Sequence, residues 1–285
     1  MQQDVSSAAP PARVTMRTIR KWVKAREKFA MLTCYDATTA VWLTRGGVQT
    51  LLVGDTAAQM VLGHDSTLPV SMSFMLEITA AVRRGAPHAF VMADMPFGSY
   101  QASDEQAITN AIRFMKRAGA DAVKFEMDAS HASLVARLTS AGVPVVAHIG
   151  SRPQQVRAEG GYRAAGRTPA EAAKLCDTAE TLIAHGAAML LIEAVPAEVS
   201  RTIVELAERA PGRDEPVPVI GCGAGPDCHG HVVVLHDLLG LSDWQPPFAP
   251  PMADLGRQIA DAASRWNETV QSGRYLQHDH PYHMK

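Results

Sequence analysis

The chain has 285 residues, 47% of them hydrophobic and 20% charged, with 27 Lys+Arg against 29 Asp+Glu and a formal net charge of -2. That balance offers no positive field for a nucleic acid. No apolar run approaches the ~20 residues of a membrane helix, and the start lacks the apolar segment of a secretory signal. Cys34, Cys176, Cys222 and Cys228 are too few and too unevenly spaced for a disulfide framework and read as reduced thiols of a cytoplasmic protein.

Residues 1–15, rich in Ala, Ser and Pro, read as a disordered arm. Ile19–Lys28 is a basic amphipathic stretch, expected as a helix that caps one end of the fold. From there, short apolar runs alternate with longer segments of helical period. The runs are Phe29–Tyr35, Thr50–Gly54, Ala89–Ala93, Asp121–Glu126, Pro144–His148, Ala188–Glu193, Val217–Gly221 and Val232–Leu235. They are continuous rather than alternating, as strands buried on both faces are. Ser103-Asp-Glu-Gln106 predicts a capping box opening a helix that Gly119 ends, and Thr168-Pro-Ala-Glu171 opens another with Pro at its first position. Gly142 and Gly186 stop their helices in the same way, and Ala253–Gln271 predicts a C-terminal helix. Eight strand-like runs with helices between them predict an α/β fold, a (β/α)8 TIM barrel. It is expected as one catalytic domain over residues 16–272, followed by a tail over 273–285. A doubly wound open sheet competes, but the Gly-x-Gly expected after its first strand is missing.

Catalytic residues of such a barrel sit at the C-terminal ends of the strands. Here those ends carry Asp36, Asp55 with Thr56, Asp94, Lys124 with Glu126, His148 and Glu193. Asp36 reads as the N-cap of the next helix. The others, on strands buried on both faces, need a common reason, because an unpaired buried charge is costly. Four acids against Lys124 and His148 raise one another's pKa unless a cation neutralises them, and an oxygen-liganded Mg2+ fits that need. Such a site can chelate a 2-oxo acid and stabilise its enolate, with a carboxylate left off the metal as base. Spacing alone leaves open which acid that is.

The same ends spell longer motifs: Thr33-Cys-Tyr-Asp36, Leu52-Val-Gly-Asp55, Gly63-His-Asp-Ser-Thr-Leu-Pro-Val70, Ala93-Asp-Met-Pro-Phe97, Val123-Lys-Phe-Glu126, Pro144-Val-Val-Ala-His-Ile-Gly150, Gly160-Gly-Tyr162 with Gly166-Arg167, and Gly221-Cys-Gly-Ala-Gly225. In this order, from about Met16 to Gln271, the chain resembles the ketopantoate hydroxymethyltransferase family. The resemblance implies a barrel of the phosphoenolpyruvate/pyruvate type, one Mg2+ per subunit, a cytoplasmic homo-oligomer (a decamer in the family) and a place in pantothenate biosynthesis. It implies transfer of a hydroxymethyl group from 5,10-methylenetetrahydrofolate, the co-substrate, to 3-methyl-2-oxobutanoate. By motif it makes Asp55, Asp94 and Glu126 metal ligands. It makes Asp55, Thr56, Asp94, Lys124 and His148 substrate contacts, and Glu193 the proton acceptor.

Some positions depart from the family pattern. Thr56 stands where serine is usual, Met127-Asp128 follow Glu126 in place of glycine, and Ser151-Arg152 replace Leu-Thr before Pro153-Gln154. His229-Gly-His231 replace Asp-Gly-Gln, and Ile78 replaces a histidine. Several of these are expected on loops around the barrel mouth, which leaves room for a paralogue using another 2-oxo acid. A C–C lyase or mutase of the related group and a silent binding paralogue are the other readings; retention of the acids and Glu193 speaks against silence. Cys222, Cys228, His229 and His231 fit no closed zinc spacing, and His278, His280 and His283 read as a solvated tail. Tyr162, Arg163 and Arg167 are candidates for a loop over the mouth.

Overall fold

The structure is a computed structural model and describes residues 12–277. The greater part of the expected arm, residues 1–11, and the histidine tail from His278 lie outside it. Eight parallel strands form a closed barrel in sequence order: β1 (Phe29–Thr33), β2 (Thr50–Val53), β3 (Phe90–Asp94), β4 (Ala122–Glu126), β5 (Val145–Gly150), β6 (Met189–Glu193), β7 (Val219–Cys222) and β8 (Gly230–Val233). Pairing of β8 with β1 closes the ring, which rules out the open sheet. Helices Ala37–Arg45, Met72–Gly85, Asp104–Arg113, Ala132–Ser140, Pro169–Ala184 and Ala197–Glu208 stand between successive strands up to β7. β7 and β8 are joined by the loop over residues 223–229 without a helix.

Alternation along the strands explains why both faces read as apolar. Val91, Ala93, Val123, Phe125, Ala147 and Ile192 pack in the layer beneath the surrounding helices. Met92, Ala122, Val146, Met189, Leu191 and Ile220 form a separate cluster with Ile19 and Val23. Those two belong to the helix Met16–Lys24, capped reciprocally by Thr15 and Thr18. This is the expected capping helix, begun earlier and ended sooner than its amphipathic stretch. The inner row then changes character toward the C-terminal strand ends. Asp94 stands two residues after Met92, Lys124 and Glu126 two and four after Ala122, His148 two after Val146, and Glu193 two after Leu191. Each such position forgoes the ~1.5–3 kcal/mol that a buried aliphatic side chain contributes.

Local details refine the expectations. Ser103 caps its helix through the Gln106 amide, but Gln106 turns its side chain to Ala102 N and Gly98 O, so only half of the box forms. That helix passes into a π turn, Phe114–Ala118, before the left-handed Gly119. The box of Thr168 and Glu171 is complete, and Asp36 caps Thr39 as expected. β8 starts two residues earlier than the run Val232–Leu235 suggested. Gly230 pairs with Phe29, whose ring leaves no room for a Cβ there, so a glycine that looks like a loop residue is the first of the strand.

The chain divides into two compact units, the second beginning at Val234. That second unit contains a one-turn helix, Leu235–Leu238, and the helix Leu255–Gln271. Met252 N and Leu255 N donate to Leu238 O and Leu239 O, past Gly240 in the left-handed region. Trp266 meets Tyr275 edge-on at 4.8 Å. Among the described residues no helix is long and apolar enough to cross a membrane.

Candidate active site

Strand register lays the strand-end residues side by side: Asp94 opposite Lys124, Glu126 opposite His148, and Gly150 opposite Glu193. Lys124 Nζ lies 3.0 Å from Asp94 Oδ2 and 3.3 Å from His148 Nδ1. His148 Nε2 lies 3.4 Å from Glu193 Oε2, and His148 Nδ1 lies 4.0 Å from Glu126 Oε1. Asp94, Lys124, His148 and Glu193 thus form a row across β3 to β6. Asp55 joins it from the turn after β2, where its backbone N–H donates to Asp94 Oδ2 at 3.0 Å. The Thr56 hydroxyl sits 2.7 Å from the Tyr35 hydroxyl. Gly150 has to be glycine: φ is +99° and a Cβ would stand 2.4 Å from Glu193 O. The backbone therefore passes close beside Glu193, and Ala194, just after it, is also left-handed at φ +50°.

The electrostatics follow from burial. Asp55, Asp94, Lys124, Glu126 and His148 are all buried, whereas the Glu193 side chain keeps 25% of its exposure. Burial pushes the Asp94 carboxyl well above its ordinary range against the pull of Lys124, with the Asp55 charge adding to the rise. Burial, then the Asp55 charge, does the same to Glu126. Burial alone would lower Lys124, but Asp94, Asp55 and Glu126 more than offset it and hold the ammonium charged. Burial and the Lys124 charge lower His148, so its imidazole is neutral. With Lys124 donating to Nδ1, the remaining ring proton belongs on Nε2, which lies 3.4 Å from Glu193 Oε2 without forming a hydrogen bond to it. Asp94 Oδ1 is buried without a hydrogen-bond partner.

An orphaned carboxylate oxygen among acids whose pKa values are raised suits a divalent cation. Among the described residues no three His, Cys, Asp or Glu side chains converge as a direct metal-ligand set. Mg2+ does not require one, since it binds through one or two carboxylates and keeps water or substrate in its other positions. Asp55 and Asp94 fit that role.

Gln154 is the residue that sequence reasoning missed. Its amide nitrogen donates to Asp55 Oδ2 and to Met95 O, both at 2.9 Å, and its backbone N–H donates to both Glu126 oxygens at 3.1 Å. The Tyr100 hydroxyl donates to its side-chain oxygen at 2.8 Å. The signal was a polar residue just after Pro153 in a segment expected as a loop; its burial could not be read from pattern. Tyr162 is half exposed, and its phenol is raised by partial burial and, after it, by the charges of Asp55, Glu193 and Glu126. Arg163 instead pairs with Glu171, and the backbone N–H of Arg167 donates to the same carboxylate.

The family departures separate into groups. Asp128 and Arg152 pair with each other at 3.0 Å, joining the segments after β4 and β5, while Met127 fills the outer core. Ile78 also packs against that core. His229 and His231 do not rim the mouth: they lie where β8 begins. His229 accepts from Val219 N and approaches Glu208, which leaves no nitrogen for zinc. A cavity lined by Trp22, Lys28, Phe29 and Thr50 opens at the starting ends of β1 and β2. It contains none of the row's residues, and the Lys28 ammonium there donates to the carbonyls of Pro226, Asp227 and Cys228.

Comparison with known proteins gives a consistent result. The sequence profile of ketopantoate hydroxymethyltransferase matches residues 13–278. A 3-methyl-2-oxobutanoate hydroxymethyltransferase of Ignicoccus hospitalis is 43% identical over 263 residues, covering 92% of this chain and 97% of its own. One of Carboxydothermus hydrogenoformans is 41% identical over 273 residues, covering 95% and 96%. Among solved structures, a phosphoenolpyruvate phosphomutase from Streptomyces platensis subsp. rosaceus aligns with a TM-score of 0.60 at 15% identity, over 94% of this chain and 92% of that one. A 2,3-dimethylmalate lyase of the PEP mutase/isocitrate lyase superfamily aligns at 0.58 and 16%, over 91% and 89%. At such identities the likeness concerns the barrel alone.

Proposed function

The chain belongs to the ketopantoate hydroxymethyltransferase family and transfers a hydroxymethyl group to 3-methyl-2-oxobutanoate in pantothenate biosynthesis, and we propose that it does so with 5,10-methylenetetrahydrofolate as donor, Mg2+ at Asp55 and Asp94, and Glu193 as the base. When bound, Mg2+ supplies positive charge for the carboxylate and keto oxygens of the 2-oxo acid. Glu126, held by the Gln154 backbone N–H, is the third acid of the cation site. Lys124, kept cationic by its acids, offers the 2-oxo acid a second positive group. Thr56 contributes a hydroxyl at the same edge.

The observation that carries this reading is the row Lys124–His148–Glu193 set against the buried acids. Glu193 is the acid of the row that stays partly open, so a substrate carbon can reach it. Neutral His148, its Nε2 3.4 Å from Glu193 Oε2, stands beside that carboxylate without protonating it. Glu193 removes the proton from the branched carbon next to the keto group. The electron pair released forms the enolate. Water displaces both folate nitrogens from the one-carbon unit, releasing tetrahydrofolate and leaving a carbon at the oxidation level of formaldehyde, whose oxygen becomes the product hydroxyl. The enolate carbon adds to that carbon, and the alkoxide formed takes up the proton held by Glu193.

Product formation tests the donor and the metal together. With 3-methyl-2-oxobutanoate as acceptor, ketopantoate is expected only when Mg2+ and methylenetetrahydrofolate are both present. Undiminished product after exhaustive chelation, or without the folate, contradicts the cofactor assignment.

A further inference from the structure

Gln154 uses its whole hydrogen-bonding capacity on the acid cluster and its surroundings. It is 5% exposed. Both amide protons are engaged, at Asp55 Oδ2 and Met95 O, and both lone pairs of the side-chain oxygen, by the Tyr100 hydroxyl and Gln101 Nε2. Reversing the amide would set its oxygen against a carboxylate and a carbonyl, so its orientation is determined by the network. The backbone N–H of the same residue spans both oxygens of Glu126. One residue therefore touches two of the three metal-site acids, one through its side chain and one through its main chain.

Three features support it from behind. Pro153 opens the turn Pro153–Gln155. Arg152, just before it, is tied to Asp128. Tyr100 stands edge-on to Phe125 at 5.3 Å. Chemistry matters as much as shape: a neutral amide orients a carboxylate without neutralising it. A lysine here would compete with a cation for the acids, and a glutamate would repel Asp55.

We propose that Gln154 is a positioning residue that fixes Asp55 and Glu126 for divalent-cation binding, holding Asp55 Oδ2 so that Oδ1 is the oxygen left for the ion. This rests on the acid cluster being the Mg2+ site of the proposed function. Residues that orient ligating carboxylates act on affinity through the ligand, and their loss typically weakens metal binding about 10–100-fold.

The test is calorimetric titration of the full chain with Mg2+ alone, for the parent, Gln154→Leu and Tyr100→Phe, with melting temperatures recorded beside it. Gln154→Leu keeps the backbone N–H and much of the volume but loses the Asp55 contact. Its dissociation constant for Mg2+ is expected to rise about 10–100-fold at a temperature where both proteins are folded. Tyr100→Phe removes the hydroxyl that holds the amide at 2.8 Å and lies 3.3 Å from Glu126 O, and is expected to shift the constant in the same direction by less. If Gln154→Leu fails to fold, Tyr100→Phe decides. Mg2+ binding within about twofold of the parent in the variants overturns the positioning role, as does a parent that binds no Mg2+. A parent that binds Mg2+ but forms no ketopantoate overturns the functional reading instead, and the titrations still decide the role of Gln154.

Discussion

Asp94 meets Lys124 and the Asp55 backbone through one oxygen and keeps the other buried without a donor. Its stability therefore depends on Lys124, the cation within 3.0 Å. Replacing Lys124 by Met leaves a buried carboxylate uncompensated, and the metal-free protein is expected to lose about 3–5 kcal/mol in urea unfolding. Loss of less than about 1 kcal/mol would mean that Asp94 is neutral in the fold. The raised carboxyls have a second consequence. Because their folded pKa values lie above the unfolded ones, the folded state binds more protons between the two. Stability contributed by these groups is present at low pH and is lost as pH climbs above the ordinary carboxylate range through the raised values. His148, lowered in the fold, acts oppositely, but only below the ordinary histidine value. Mg2+ replaces the lost protons, so the rise in melting temperature on adding Mg2+ should grow from about pH 6.5 to pH 9. A rise that shrinks over that range contradicts the assignment of Asp94 and Glu126 to the cation site.

At the scale of the element, the segments after β4 and β5 act together. Asp128 and Arg152, both departures from the family pattern, form one ion pair next to the turn that carries Gln154. The pair is partly exposed, with side-chain exposures of 40% and 21%. A double-mutant cycle of Asp128→Ala and Arg152→Ala in urea unfolding should therefore give a coupling of only about 0.2–1 kcal/mol. Zero coupling would show the two departures to be independent. Gly150→Ala is a harsher change, since it forces a Cβ onto Glu193 O in a left-handed residue. It should destabilise by more than about 1 kcal/mol and reduce activity by displacing Glu193; full activity with unchanged unfolding would contradict the close approach. The eight strands were legible because buried parallel strands leave continuous apolar runs, and Asp36 because a cap has a local cause. Gln154 and the start of β8 were not. A buried amide next to Pro153 and a glycine flattened against Phe29 owe their places to residues distant in the chain, which no local period records. The ring of strand-end acids was legible for the opposite reason: in a barrel, one position at the end of each strand is a shared location.

Over the whole molecule, the barrel interior divides along its axis into an apolar part sealed by Ile19 and Val23 and a polar part at the C-terminal strand ends. The solved lyase and mutase barrels align over more than nine-tenths of this chain at 15–16% identity, so the scaffold alone does not choose the reaction. The choice lies in which inner positions turn polar: acids on β3 and β4 and after β2, cation on β4, imidazole on β5, and an open carboxylate on β6. The central claim is that this last carboxylate, Glu193, takes the proton from the carbon beside the keto group. The most direct measurement is deuterium exchange at the branched carbon of 3-methyl-2-oxobutanoate in heavy water with Mg2+ and no folate, comparing the parent with Glu193→Gln. The parent should exchange, and the variant should exchange about 10²–10⁴-fold more slowly while remaining folded. Equal rates of exchange in the two proteins would contradict the account.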